Sequence, residues 1–398
     1  DGRTLLIPNW DPLTSPILAA NLQRAGIDAR VLEEDETKIR AAMRLNTGQC
    51  IPLNIIVEEF VDYIRAHDLD PARTLLWTAQ SNLACNFALF APYMKTLLER
   101  YGGGMERAAV YEGDFFFLEI SPIVALRAYF AYLSGGMLRR IGCTIRPYEA
   151  NAGDTDRVID ECRSLLVESF GGGRGVRAAL SEVTARFHAI PRICGAPARP
   201  KVAIFGDLYV RDNEVMNGNL IRTIEEAGGE VVTTPYNEYL KTVAPAYFAA
   251  WARGGELGTW IEFKSLLAVV EGIERSYQGI LDGYRLPKTS ELTQDPVASL
   301  ARFHVRIEQE GESYDNLLKI LHLVRDHPDV SLFVQTSPAF CCPSLITESM
   351  GATIERLTGV PVVTITYDGT SDIKNELVVP YLSFPRKRPA AARDITRY

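Results

Sequence analysis

At 398 residues the chain exceeds the size at which a single hydrophobic core stops growing, so two domains are expected. Its 47% hydrophobic, 23% charged and 9% aromatic residues are ordinary for a globular protein, and no apolar run approaches the ~20 residues that cross a bilayer. The net charge of -8 gives no basic footprint for nucleic acid, and Arg386-Lys387-Arg388 is too short to make one.

The chain opens on Asp1-Gly2-Arg3 and passes at once into the strand-like Thr4-Leu5-Leu6-Ile7, with none of the n-region and h-region of a signal peptide. Lacking an initiator Met, it reads as an excised part of something longer. Seven cysteines, an odd number, in a large chain without a secretory signal argue for a reducing, cytoplasmic compartment and against a disulfide framework.

In chain order, a strand at 4–7, a helix at about 15–24 closed by Gly26 and a strand at 28–32 form a parallel βαβ pattern. A helix at 51–66, a strand at 73–78, a helix at 87–101 and a strand at 108–111 extend it to an open, doubly wound sheet. Residues 116 to about 195 read as helical, a connector interrupted by Gly171-Gly172-Gly173-Arg174-Gly175. That glycine run lies between two helical patterns, not between a strand and a helix, and is therefore a turn and no phosphate cradle. Pro191 to Pro200 is the linker. A strand at 201–205, a helix at about 213–227 and a strand at 230–233 then repeat the first domain's logic. Helical patterns fill 236–284 and 300–325, and a strand at 330–335, a helix at about 343–357 and a strand at 362–366 complete a second α/β sheet. The expected fold is thus α/β, two Rossmann-like doubly wound domains with parallel sheets, at 1–195 and 196–398.

Ligands of such sheets bind outside the carboxyl ends of the strands, where loops enter the next helices. Cys50, Cys85 and the pair Cys341-Cys342 fall in loops of this kind, each just ahead of a helix. Helix N-termini offer unpaired N–H groups and partial positive charge, which lower a thiol's pKa and make the thiolate a ready iron ligand. Separations of 35 and 256 positions match no compact ferredoxin or zinc pattern, so spacing leaves reduced structural cysteines and a metal site both open. Cys162 lies in an amphipathic helix and reads as core; Cys143 and Cys194 read as inert. Asp207 and Arg211 follow the strand at 201–205 and are candidates for a substrate contact, or for a salt bridge or helix cap. Glu348, Gln335 and Ser337 flank the Cys341 loop. The five histidines share no loop.

With these motifs in place, the sequence resembles the 2-hydroxyacyl-CoA dehydratase D-component superfamily, most closely its large CoA-activase-associated and double-cubane branch. Asn46-Thr47-Gly48-Gln49-Cys50-Ile51-Pro52, Cys85-Asn86-Phe87, Gly206-Asp207-Leu208-Tyr209-Val210-Arg211 and Pro338-Ala339-Phe340-Cys341-Cys342-Pro343 carry the resemblance, with Gly359 to Thr370 as the closing strand and loop. The resemblance implies a [4Fe-4S] cluster between the two domains, held by three cysteines with one iron open, or alternatively a double-cubane [8Fe-9S] cluster. It aligns Cys50 and Cys85 with the first two ligands and Cys341 with the third, leaving Cys342 as a second or alternative donor. It also implies a partner, an ATPase activator of actin-like fold carrying its own [4Fe-4S] cluster, a CoA thioester or small-molecule substrate, and a homo- or heterodimer. The leading expectation is the cluster-bearing component of an ATP-activated, low-potential reductase or dehydratase. A non-catalytic iron-sulfur relay or carrier within an activase assembly is the alternative, and a cluster-free α/β binding protein the blandest reading. Ile204-Phe205-Gly206-Asp207 has only one of the glycines of a dinucleotide loop.

Overall fold

A computed structural model of the chain describes residues 2–80, 85–278, 280, 295–309, 312–370 and 373–385. The turn at 81–84, the end of the helical pattern at Tyr284 and the basic Arg386-Lys387-Arg388 lie outside the described residues. The first sheet contains β1 (Thr4–Ile7), β2 (Asp28–Val31), β3 (Thr74–Ala79) and β4 (Ala109–Gly113), all parallel, in the order β2-β1-β3-β4. The helices between them are α1 (Ser15–Arg24), α2 (Glu36–Ala42), α3 (Ile51–Ala66) and α4 (Phe90–Tyr101). Three helices follow: α5 (Pro122–Ile145), α6 (Asp154–Gly171) and α7 (Val176–His188).

The second sheet repeats the first in order and direction. Its strands β5 (Lys201–Gly206), β6 (Glu230–Val232), β7 (Val330–Pro338) and β8 (Val362–Tyr367) run parallel in the order β6-β5-β7-β8. Its helices are α8 (Leu208–Asp212), α9 (Leu220–Glu226), α10 (Tyr236–Gly254), α11 (Leu257–Gln278), α12 (Pro296–Ala301), α13 (Glu312–Asp326), α14 (Cys342–Ser349), α15 (Gly351–Thr358) and α16 (Val379–Ser383). The expected pair of doubly wound parallel sheets is present. In each, the chain reverses strand order beside the first strand, so the loops leaving β1 and β3, and those leaving β5 and β7, flank the crevice where such sheets receive ligands.

Local chemistry explains the boundaries. The Ser121 hydroxyl accepts the Val124 N–H at 3.1 Å and Pro122 opens α5 with its ring already at a helical φ. Gly172 ends α6 in the left-handed region, and the glycine run is the expected turn into α7. The central strand β7 is buried along almost its whole length, as a parallel strand covered on both faces must be. At the end of β5, Gly206 has φ +125°, and a Cβ there would stand 2.1 Å from the Thr336 carbonyl oxygen of β7.

The helix expected at 213–227 is interrupted. The Asn213 side chain takes the Met216 N–H at 2.8 Å and the Asn217 side chain takes the Leu220 N–H at 3.1 Å, while Asn219 is left-handed, so α8 and α9 are separated by a turn. The helix expected at 343–357 is likewise split into α14 and α15 at Met350, and the one at 300–325 into α12 and α13. Helix α2 was not expected: its only strong local signal is Asp35, whose carboxylate caps the Thr37 N–H at 2.6 Å.

The helical segment expected as a connector is wedged between the two sheets. Helix α5 packs on α1 and α6 and also on β6 and α10. The adjacent glycines Gly135 and Gly136 permit this: a Cβ on the first would stand 2.0 Å from the Thr14 hydroxyl, and on the second 2.4 Å from Pro235 Cβ. One hydrophobic core accordingly runs from β1 through α5 to Val202, Ile204, Leu332 and Val334, while Ala203, Phe205 and Phe333 join a second core with α13. The same helix carries Arg139, 5% exposed, whose guanidinium reaches Asp11 at 2.6 Å, Glu214 at 3.1 Å and Asp212 at 3.6 Å. Asp11 follows β1 and the other two follow β5, so one cation joins the switch-point loops of both sheets.

Candidate functional site

The four predicted cysteines line one cavity of about 80 Å³ between the sheets. Cys50 is buried at the N-terminus of α3, with Pro52 behind it in the first turn. It does not follow a strand directly, because α2 intervenes. Cys85 arrives in the loop after β3, half-buried, its sulfur accepting the Phe87 N–H at 3.5 Å as the chain enters a short 3-10 turn. Cys341 is buried at the N-terminus of α14, its thiol 3.9 Å from Asp207 Oδ2. Cys342 begins that helix on its exposed side and donates to Asn86 Oδ1 at 3.5 Å. Neighbours in sequence thus diverge in space, one toward Cys50 and one toward the rim.

The loop ahead of α14 is held by both halves of the molecule. Asn86 Nδ2 donates to the Phe340 carbonyl at 3.1 Å, and the Ala339 N–H donates to the Tyr367 carbonyl at 2.8 Å. Phe340 has φ +66°, a left-handed backbone that costs a residue with a Cβ about 1 to 3 kcal/mol. That local cost is sustained immediately before Cys341, where it turns the chain from β7 into the helix.

The electrostatics run against the sequence expectation. Cys50 lies at a helix N-terminus, yet its pKa is raised well above the ordinary thiol value. The hydrogen bond with the Cys341 thiol contributes most, followed by burial and by the negative charges of Asp207, Cys341 and Cys85. Crowding of thiols outweighs the helix terminus, so a soft metal group entering here must displace protons. Asp207 is itself raised by desolvation, against the Val210 and Tyr209 N–H groups that its Oδ1 accepts at 2.9 and 3.0 Å.

Among the described residues, no three His, Cys, Asp or Glu side chains are grouped to hold a single metal ion. The donors around the cavity are instead soft sulfurs on three loops, a set suited to a polynuclear iron-sulfur group in which each thiolate takes a different iron. Trp10, in the loop after β1, also lines the cavity, and its indole N–H is buried with no acceptor among the described residues.

The remaining sequence candidates have other tasks. Asp207 caps α8 and faces the cavity, but Arg211 is turned away, paired with Asp212 at 2.9 Å and stacked over Tyr236. Gln335 Nε2 donates to the Ser344 carbonyl at 2.9 Å and the Ser337 hydroxyl to the Pro338 carbonyl at 3.1 Å, so both secure β7 and neither lines the cavity. Glu348 is exposed on α14. Cys143 and Cys162 are buried in the core and Cys194 is exposed, all away from the cavity. The sequence reading missed Trp10, Phe115, Tyr209 and Tyr236 as wall residues; Trp10 was the detectable one, standing three residues beyond the first strand, in a switch-point loop. No protein-family model matches the chain, and no curated protein is significantly similar to it.

Proposed function

We propose that this chain is the cluster-bearing component of an ATP-activated, low-potential reductase or dehydratase system. The carrying observation is the convergence of Cys50, Cys85 and Cys341, with Cys342 at the rim, on one cavity between two sheets. Cys50, Cys85 and Cys341 would hold a [4Fe-4S] group, with Cys342 available as a further donor to a double-cubane [8Fe-9S] group. Such a group supplies one-electron chemistry at low potential and, with three protein thiolates, an open iron for a CoA thioester or a small molecule.

The chain's own residues would do the rest. Trp10, Phe87, Phe90 and Phe115 wall the cavity with rings and exclude water from it. The resemblance supplies the activator ATPase as electron donor and a homo- or heterodimeric assembly, and the seven unbridged thiols suit a reducing, cytoplasmic setting.

Replacing single ligands tests the assignment. Cys50→Ser and Cys85→Ser each lose most of the iron found in anaerobically prepared wild type, while Cys162→Ser retains it, as read by iron analysis of folded protein. Equal loss in all three variants would remove the site from this cavity.

A further inference from the structure

Beside the cysteine cavity lies a group of acids that the proposed chemistry has not used. Tyr209, 8% exposed, lines the cavity, and its hydroxyl meets Glu34 Oε1 at 3.4 Å. Glu34 follows β2, is partly exposed as a residue with its carboxyl turned inward, and also accepts from Asn213 Nδ2. Behind it on α3 stands Glu59, 1% exposed, with Oε2 unpartnered among the described residues. Neither glutamate has a cation at ion-pair distance among the described residues. Asp11 and Glu214 add negative charge from the switch-point loops, and Lys38 on α2 is the cation acting on Glu59.

We propose that Glu34 and Tyr209 form the proton entry of the cysteine cavity. The Glu34 carboxyl gives its proton to the phenolic oxygen as the phenolic proton passes inward to the acceptor in the cavity. One O–H bond breaks and one forms at Tyr209, and Glu34 is left as a carboxylate that takes a new proton from solvent. A phenol suits the task because its hydroxyl turns about the C–O bond between two partners. The chemical states agree with this role. Burial pushes the Glu34 carboxyl up to about 8, opposed by the Asn213 and Tyr209 hydrogen bonds, so it carries a proton near neutrality. Burial also keeps the Tyr209 phenol protonated. Asp207 also faces the cavity, but its Oδ1 is engaged by two backbone N–H groups and its Oδ2 by Cys341.

The use of this entry rests on the reductase reading, since reduction of a bound ligand consumes protons; its existence does not. The test therefore uses the full chain prepared without iron and deuterium oxide as the probe. The S–H infrared bands of Cys50 and Cys341, assigned with the Cys→Ser variants, are followed as they convert to S–D after transfer. Glu34→Gln and Tyr209→Phe are each expected to slow that exchange at least tenfold. Cys162, wholly buried in the core, should keep its wild-type rate and so report an intact structure. Unchanged exchange at Cys50 and Cys341 in both variants would overturn the proposal and pass the role to Asp207. Slowing or acceleration shared by Cys162 would also overturn it, because the effect would then be global. A chain that binds no iron but shows the selective slowing would leave this entry standing while the cluster reading failed.

Discussion

Cys341→Ala is expected to abolish stable iron binding, whereas Cys342→Ala keeps the iron and changes its reduction potential or activity. Cys341 is buried, in contact with Cys50 and 3.9 Å from Asp207, on the cavity side of the α14 N-terminus. Cys342 is exposed and hydrogen-bonded to Asn86, whose own amide holds the Phe340 carbonyl. Losing a ligand removes an iron's fourth donor, while losing a neighbour of the ligands costs about 10- to 100-fold in metal affinity or activity. Iron analysis and redox titration of the two variants separate the cases. Retention of iron in Cys341→Ala with loss in Cys342→Ala would exchange the roles; loss in both would support a larger group using each sulfur on a different iron.

Arg139→Met is expected to destabilise the chain by about 3 to 5 kcal/mol, the cost of leaving the buried Asp11 carboxylate without its cation. Asp11 and Asp212 are both almost wholly buried and both face this guanidinium. Because those residues belong to the loops after β1 and β5, the loss should also loosen the two sheets against each other. The exposed Arg157, which pairs with Asp154 and Glu161 along α6, is the control, and its Met variant should leave the denaturation midpoint where it was. A midpoint for Arg139→Met as close to wild type as that of the control would show that the interface does not depend on the buried cluster.

The sheets were legible because their strands are short apolar runs bounded by Gly, Pro and polar turns, and because the order strand, helix, strand leaves few parallel topologies. Irregular helices were less legible. Side chains of Asn213 and Asn217 compete for backbone N–H groups over the stretch where apolar spacing suggested one helix, and that competition is invisible to periodicity. The wedge role of α5 was hidden too, since Gly135-Gly136 reads locally as a weakness and only the close approach of Thr14 and Pro235 explains it. At the site, the positions of Cys85 and Cys341 followed from their strand-to-helix loops and that of Cys50 only from its place ahead of a helix, since α2 separates it from β2; their electrostatics did not follow. A helix N-terminus is a local property, whereas the mutual crowding of three thiols and Asp207 arises only when residues distant in sequence meet.

Anaerobic purification followed by iron and acid-labile sulfide analysis tests the central claim most directly. The three converging thiolates predict a brown protein with about four iron and a matching amount of sulfide per chain, or about eight iron for a double-cubane group. Zinc in place of iron, or no metal in a folded anaerobic preparation, would contradict it.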